Sequence, residues 1–231
     1  MKKLFRIVIF TFFSLISIAL IFVGGFMYKA RYGFNFYDSN PPEIPESLSS
    51  NAILVFSKTN GFRHEEAIKA SIPAFQEMAG THNWNLYFTD NGAVFNEAQL
   101  ARFKVVVWNN VSGKVLDEVQ RKNFRGYLEN GGGFVGIHAS GDNSHQWDWY
   151  ENELIGAHFS HHPLKNQFQK LPINLEIDSN FSELSDGLLA MEKRSDEWYI
   201  FFDNPREAGK RVLYTLDETD FRSGWDFLFF S

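Results

Sequence analysis

The chain has 231 residues, of which 44% are hydrophobic and 17% aromatic, enough for one folded domain with a packed core. Its formal net charge is -6, and lysine and arginine occur singly or in pairs without a longer basic cluster, which argues against nucleic-acid binding because phosphate neutralisation needs basic patches. The lack of cysteine excludes disulfides, cysteine-type zinc sites, thiol catalysis and a lipid anchor on cysteine.

The N-terminal segment has the length and composition of a membrane span. Ile7–Met27 is an uncharged, mostly apolar run that, at ~1.5 Å per residue, can cross a hydrocarbon core of ~30 Å. Basic residues precede this run, so the positive-inside rule places the N-terminus in the cytoplasm and the rest of the chain on the extracytoplasmic (periplasmic) side. We therefore expect a transmembrane signal anchor over residues 1–28 in the inner (cytoplasmic) membrane. A cleaved signal peptide is the alternative, although no convincing small-x-small cleavage site precedes Tyr28.

A polar segment rich in proline and serine follows the apolar run. Residues 29–51 are predicted as a linker because prolines stiffen the backbone there. The folded domain is expected over residues 52–231. It begins with Ala52–Phe56, which is apolar on both faces, as suits a buried parallel strand.

Strands and helices alternate after this first strand. The predicted elements are a helix Glu65–Met78 kinked or split at Pro73, a strand Asn85–Thr89, a short helix capped by Asn96 and running through Arg102, a strand Lys104–Trp108, a helix Leu116–Asn130 and a strand Gly133–His138. This alternation predicts a doubly wound, mostly parallel sheet with helices on both faces. Two further strands are expected at Leu171–Ile177 and Val212–Leu216.

Polar side chains collect in the loops that follow the predicted parallel strands. His64 lies in the loop after the first strand, Asn109 follows the third, and His138 and Asp142 follow the fourth. Ligands bind beyond the carboxyl ends of the strands in open parallel sheets. Three separate loops therefore bring these side chains toward one edge, where we expect the functional site.

His138 ends the fourth predicted strand, where related α/β enzymes carry a nucleophile on a sharp strand-to-helix turn. Neither serine nor cysteine occupies that position, so the histidine indicates proton transfer or metal ligation instead of acyl transfer. The alternative is a hydrogen-bonded polar residue that closes the strand.

A second group of histidines comprises His158, His161 and His162. Together with His64 and His138 they could hold a divalent ion, and histidine and carboxylate ligands suit zinc or manganese. The sequence has no His-Glu-x-x-His pair. His138 and His162 are the candidate metal ligands on this hypothesis.

Two acids stand beside two aromatic residues in Asp196–Tyr199. In sugar sites, carboxylates bond hydroxyls and aromatic rings stack on apolar sugar faces. The pattern therefore indicates a carbohydrate site that uses Glu197, Trp198 and Tyr199. The alternative is that the two adjacent acids simply face solvent.

Four other polar residues are assigned either to substrate contacts or to the surface. Lys58 and Arg63, in the loop after the first strand, are expected to add substrate contacts. His82 and His145 are expected on the surface.

At these residues the chain resembles the ThuA-like (trehalose-utilisation) family, within the class I glutamine amidotransferase-like fold. The matching segments keep the family's order and spacing across residues 52–219. They are Ser57–His64, Gly131–Ala139, Gly156–Phe159 with His162–Pro163, Asp196–Tyr199 and Val212–Thr219. The resemblance implies a flavodoxin-like three-layer αβα sandwich. It also implies that His138 replaces the catalytic cysteine of the amidotransferases, which argues against glutamine hydrolysis.

Members of this family are linked to the breakdown of disaccharides or glycosides after oxidation to keto-sugars. The polar site that the resemblance implies, position by position, is His64, His138, Asp142, His162 and Glu197. The family usually continues past Val212–Thr219 with a His-Pro-x-x-Trp stretch and a further strand, whereas Phe221–Ser231 differs from that pattern. On this comparison the domain is expected to be truncated at its C-terminus.

We therefore expect a membrane-anchored enzyme that hydrolyses or isomerises an oxidised di- or glycoside. His138 would act as general acid/base or metal ligand, with Glu197 or Asp142 as the partner carboxylate. A non-catalytic sugar-binding or scaffold domain at the membrane is the first alternative. A degenerate amidotransferase relative that acts on a peptide or amide is the second, and the lack of cysteine counts against it.

Overall fold

The computed structural model describes residues 2–48, 52–176 and 193–223. The chain divides into two units, Met1–Gln146 and Trp147–Ser231, each of which is described by itself. The first unit contains the apolar N-terminal helix and the parallel sheet. The second contains short antiparallel strand pairs.

Helix α1, Lys2–Tyr32, is the apolar N-terminal helix. A window within Lys3–Lys29 has a mean hydropathy of 2.7, and none of it is buried inside the protein. The helix is therefore long and apolar enough for a membrane span or a signal sequence.

The parallel sheet follows the predicted alternation. Its strands are β1 (Ala52–Phe56), β2 (Asn85–Thr89), β3 (Phe103–Asn109) and β4 (Gly133–Ile137). They pair in the order β2-β1-β3-β4, all parallel, which is the order at the start of a flavodoxin-like sheet. The predicted α/β fold is confirmed.

Helices connect these strands. They are α2 (Glu65–His82), α3 (Glu97–Leu100) and α4 (Glu118–Glu129). Pro73 lies inside α2 without splitting it, and the side chain of Asn96 caps α3 as predicted. α4 begins later than expected because Asp117 and Gln120 form a capping box that fixes its first turn.

The core of the first unit is an aromatic cluster beneath the sheet edge that carries the loops. Phe56 meets Phe95 edge to face with ring centroids 4.8 Å apart, and Trp108 stacks on Phe124 at 5.4 Å. All four side chains are buried. Their packing fixes the ends of β1 and β3, from which the candidate site loops leave.

The predicted linker makes hydrogen bonds with the domain along much of its length. We call Gly33–Leu48 the strap. Its backbone carbonyls accept hydrogen bonds from side chains of the first unit. Asn60 donates to the carbonyl of Phe36, Gln120 to that of Asp38, Gln99 to that of Pro42, Tyr87 to that of Glu43, and Arg102 to those of Ile44, Pro45 and Leu48. The strap is therefore part of the folded unit.

Asp38 is the most connected residue of the strap. Its carboxylate pairs with the ammonium group of Lys58 and accepts a 2.7 Å hydrogen bond from the backbone N–H of Gly92. The Lys58 side chain is almost fully buried, so Asp38 supplies the counter-charge that makes this burial tolerable.

The second unit begins with a π-helix, Tyr150–Ile155. Its strands are β5 (Phe159–His161), β6 (Phe168–Leu171), β7 (Ile173–Leu175), β8 (Arg194–Glu197), β9 (Ile200–Phe201) and β10 (Tyr214–Leu216). They form the antiparallel pairs β5–β9, β6–β8 and β7–β10.

Two sequence predictions concern the later part of this unit. The strand expected over Leu171–Ile177 is instead two strands, β6 and β7, because Pro172 lies between them and cannot donate to a ladder; Ile177 lies outside the described residues. The expected C-terminal truncation concerns Phe221–Ser231, of which residues 224–231 also lie outside them.

Candidate functional site

The loops after β1, β3 and β4 are joined by hydrogen bonds at the carboxyl edge of the sheet. The carbonyl of Ser112 accepts from the N–H groups of Asn60 (2.8 Å) and Gly61 (3.1 Å). The N–H of Gly113 donates to the hydroxyl of Ser144 at 2.6 Å. Residues from three separate loops are thereby held together at one edge, as expected from the strand order.

His138 has a positive φ of 50°, which non-glycine residues rarely adopt. It is the first residue of a 3-10 turn, His138–Gly141, that directly follows β4. Ser140 secures this turn, because its hydroxyl donates to the carbonyl of Trp108 at 2.9 Å and accepts from the N–H of Val111 at 3.3 Å. The sharp turn resembles the strand-to-helix elbow that presents a nucleophile in related α/β enzymes, here with an imidazole in that place.

The imidazole rings of His64 and His138 are in contact. Their centroids are 4.5 Å apart, with the rings at 75°. Phe62 packs edge to face against His64 at 4.9 Å and covers one side of the pair. Two imidazoles this close can pass a proton to a common substrate or offer two nitrogen ligands to one divalent ion.

Asp142 lies one turn beyond His138. Its carboxylate accepts hydrogen bonds from the backbone N–H (2.8 Å) and hydroxyl of Ser144. Burial raises the pKa of the Asp142 carboxyl, while the charge of His145, the Ser144 bonds and the charge of His138 act in the opposite direction. A carboxyl with a raised pKa beside a histidine pair is suited to acid/base chemistry.

The predicted surface position of His145 is wrong. Its ring is buried against Trp108, with centroids 5.3 Å apart, and Nδ1 lies 3.2 Å from the carbonyl oxygen of Gly113. Nε2 lies 3.8 Å from Asp142 Oδ1. The residues next to His145 in the sequence are polar, so no apolar pattern indicates that its side chain is buried. His82 is exposed and stacks on Trp84.

Three predicted substrate contacts of this unit have protein partners. Asn109 is buried and donates to the hydroxyls of Ser57 (3.1 Å) and Ser71 (2.8 Å), which ties the loop after β1 to α2. Lys58 pairs with Asp38 of the strap. Arg63 is partly exposed; it pairs with Glu65 and donates to the carbonyl of Ser57 at 2.9 Å.

The other predicted site residues belong to the second unit, where Glu197 is the central group. Its carboxylate is buried, accepts a hydrogen bond from Gln167 and lies 3.2 Å from Nδ1 of His162. The ring of Tyr199 stacks on His162 at a centroid distance of 6.0 Å. Trp198 donates its indole N–H to the carbonyl of Gln169 at 2.9 Å.

This second group contains a carboxylate, an imidazole and an aromatic face, the chemical types that a sugar site uses. Glu197 and His162 could also offer oxygen and nitrogen ligands to a metal ion. The predicted metal pair, His138 and His162, is divided between the two units.

The residues that hold the site loops in place are not predicted from the sequence. Asp38, Ser112 and Ser144 have no motif that marks them. One local signal is present in the sequence: Ser144 follows Asp142 by two residues. At this spacing an aspartate carboxylate accepts a hydrogen bond from the backbone N–H two residues on.

Three comparisons with known proteins bear on this fold and site. A family model described as trehalose utilisation (ThuA) matches residues 52–227. The crystal structure of a ThuA-like protein from Bacteroides uniformis is similar, with a TM-score of 0.61 and 21% identity, covering 81% of this chain and 76% of that chain. At this identity the likeness shows the fold alone. No curated protein matches the sequence.

Proposed function

Because the chain belongs to the ThuA (trehalose utilisation) family, we propose that it is a membrane-anchored enzyme that hydrolyses or isomerises an oxidised di- or glycoside. The observation that carries the proposal is the contact between the rings of His64 and His138 at the carboxyl edge of the sheet. His138 is the general acid/base in this proposal, and Asp142 is its partner carboxylate.

The chemistry of an oxidised sugar explains why a histidine pair would be used. The carbon beside a keto group is acidic, so one neutral imidazole can remove its proton while a second, protonated imidazole gives a proton to the carbonyl oxygen. The product is an enediol. Delivery of a proton to the former carbonyl carbon and removal of one from the hydroxyl on the neighbouring carbon then move the keto group, which completes an isomerisation with no net gain of protons. For hydrolysis, the same base would activate water.

Asp142 is the partner carboxylate of His138 in this proposal. Burial raises the pKa of its carboxyl, so the neutral acid persists to higher pH than in a free aspartate. The side chain can therefore take part as a proton donor as well as an acceptor.

In the second unit, Glu197 with His162 and Tyr199 is proposed to contribute to sugar recognition and proton transfer. The buried carboxylate is a hydrogen-bond acceptor for hydroxyls, and the tyrosine ring provides an apolar face. Trp198 is proposed as a supporting residue, since its indole N–H is already bonded to the backbone.

We propose that α1 remains attached as a single-pass anchor, with the domain on the extracytoplasmic side. The length and hydropathy of α1 support this arrangement. Mass spectrometry of the mature protein and protease protection of the domain in sealed cells would test both parts.

The proposed activity is tested by a screen of oxidised and plain disaccharides with the full chain in detergent, together with metal analysis of the purified protein. Turnover of a keto-disaccharide that is lost in His138→Asn would support the proposal. Saturable sugar binding by calorimetry with no product after long incubation would instead identify a non-catalytic binding domain. Equal activity of the wild type and the variant would reject His138 as the acid/base.

A further inference from the structure

The end of α1 is attached directly to the loop that carries His64. Gly33 follows α1, and the N–H of Phe34 donates to the carbonyl of Asn60 at 2.9 Å. The contact is close: a Cβ on Gly33 would lie 2.8 Å from the carbonyl carbon and oxygen of Asn60. One residue thus separates the helix from a backbone bond to the loop Ser57–His64.

The other site loops lie at the same end of the helix. The carbonyl of Ser112, after β3, accepts from Asn60, and α1 lies close to the turn Asn143–His145 that follows Asp142. The carboxyl edge of the sheet, with its candidate site, is therefore the edge next to the end of α1. The opposite edge, where the strands begin, carries the end of α4.

Exposed aromatic side chains surround this end of the helix. We define the aromatic patch as Phe34, Phe36 and Phe62, whose side chains are 44%, 68% and 48% exposed. The rings of Phe34 and Phe36 are 6.4 Å apart, and Phe34 lies 6.2 Å from Tyr28 of α1. Tryptophan and tyrosine are enriched at the headgroup level at the ends of membrane spans, and phenylalanine is among the residues that interfacial segments bury at the boundary between headgroups and acyl chains.

One residue of the patch lies at the site. Phe62, on the loop to which Phe34 is hydrogen-bonded, packs against His64. Lys29, exposed near the end of α1, adds positive charge where anionic headgroups would lie. A lipid bilayer is the one surface that accounts for both a 31-residue apolar helix and the exposed aromatic residues beside its end.

From this geometry we infer that the carboxyl edge of the sheet faces the membrane, with the aromatic patch in the headgroup layer, and that the site takes glycosyl groups presented at the bilayer surface. The substrate class rests on the proposed function, whereas the orientation does not. The group that the site would recognise is a glycosyl unit. That unit could belong to a lipid-linked glycoside or to a free sugar. The attachment of the site loops to α1 favours the lipid-linked source.

The orientation can be measured without any substrate. Since the chain has no cysteine, single variants Phe36→Cys, Phe62→Cys and Glu129→Cys each accept one fluorescent label. The full chain is reconstituted in phosphatidylcholine–phosphatidylglycerol vesicles that contain spin-labelled lipid. We expect strong quenching at positions 36 and 62 and none at Glu129, which ends α4. Absence of quenching at 36 and 62, or equal quenching at all three positions, would overturn the orientation.

The substrate class needs a separate measurement. A keto-disaccharide linked to a dialkylglycerol in the same vesicles is compared with the free keto-disaccharide at equal total concentration. We expect turnover of the lipid-linked form to be faster by about tenfold or more, because both partners are confined to one surface. The double variant F34S/F36S keeps α1, and with it the confinement, but loses the patch that turns the site toward the headgroups. Its turnover of the lipid-linked form should therefore fall, while turnover of the free sugar stays unchanged.

The outcomes separate the two proposals. Equal turnover of the two forms would overturn the substrate class while leaving the proposed enzyme in place. No turnover of either form would reject the proposed function, and the quenching experiment would still report the orientation.

Discussion

The rings of His64 and His138 meet edge to face with 4.5 Å between their centroids, although the two residues lie in different loops. His64 immediately precedes α2, and His138 begins the turn after β4. The parallel sheet brings these positions together because both loops leave its carboxyl edge. The pair is the centre of the proposed catalytic site.

Replacing His138 by asparagine should abolish proton transfer with little loss of stability. Asparagine tolerates the left-handed backbone conformation that His138 adopts, so the turn is retained. We expect turnover to fall by about 10²–10⁴-fold, the usual contribution of general acid/base catalysis. Steady-state kinetics and urea unfolding of the same preparation measure the two effects. The control His82→Asn, on the exposed end of α2, should leave both unchanged; a variant at 138 with full activity would contradict the assignment.

Replacing Asp142 by asparagine should change the pH dependence of stability. An unfolded aspartate titrates near ~3.9, and burial raises the pKa of folded Asp142 above that value. Its protonated form therefore stabilises the fold fully below pH ~3.9, and this contribution is lost as pH rises through the folded pKa.

The asparagine of the Asp142→Asn variant stays neutral at every pH and keeps an acceptor for the Ser144 N–H. Relative to the variant, the wild type should therefore lose stability as pH increases from about 4 upward. Urea unfolding in detergent across this range measures the difference. A difference that is constant with pH, or that changes in the opposite direction, would show that the Asp142 pKa is not raised.

Removing the Asp38 carboxylate should destabilise the domain. In Asp38→Ala, the buried ammonium of Lys58 loses its counter-charge and the Gly92 N–H loses an acceptor. We expect a loss of about 2–4 kcal/mol in the free energy of unfolding. Glu46→Ala, an exposed substitution on the same strap, serves as the control and should change stability by less than about 0.5 kcal/mol.

The Asp38 interpretation has a second check. The double variant D38A/K58M removes both charges, so it should recover part of the stability lost in Asp38→Ala. If the double variant is less stable by the sum of the two single effects, the Asp38–Lys58 pair is not the cause.

Two glycines offer opposite outcomes for the same substitution. Gly113 has a φ of +78°, and a Cβ there would lie 2.5 Å from the backbone nitrogen of Gly61. Gly113→Ala should therefore cost more than about 1 kcal/mol, because the backbone of two site loops must separate. Gly126, inside α4, has no neighbour within 4 Å of such an atom. Gly126→Ala should stabilise the protein by about 0.5–1 kcal/mol, and urea unfolding measures both changes.

Replacing Glu197 by glutamine tests the proposed role of the second unit. The amide oxygen can still accept from Gln167, so the local structure should persist while the negative charge next to His162 is lost. We expect turnover to fall by about 10²-fold or more. Its neighbour Asp196 is more exposed and pairs with Arg194, so Asp196→Asn is the matched control. Equal activity of both variants would remove Glu197 from the proposed catalytic residues.

The parallel sheet was predictable because its strands carry strong local patterns. Ala52–Phe56 is continuously apolar, and Asn96 precedes a short helix that it caps. The start of α4 was placed too early, although Asp117 and Gln120 have the spacing of a capping box. The strand and the capped helix were recognised because each depends on a few adjacent residues, and the capping box at the start of α4 is a local signal of the same kind.

The features that were missed depend on contacts between distant residues. His145 is buried because Gly113 and Trp108, more than thirty positions away, enclose its ring. Lys58 was assigned to substrate because nothing near it in sequence indicates that Asp38 is its partner. Sequence patterns identify which polar residues share an edge, but not which of them are already bonded within the protein.

The hydrogen bonds of the strap determine where a fragment can be cut. The family match begins at residue 52, which would be the natural first residue of a soluble version. Such a fragment would lack the carbonyls that satisfy Gln99, Arg102 and Gln120, and it would leave Lys58 without Asp38. A soluble version that keeps these contacts should therefore begin at Gly33, upstream of the boundary that sequence similarity marks.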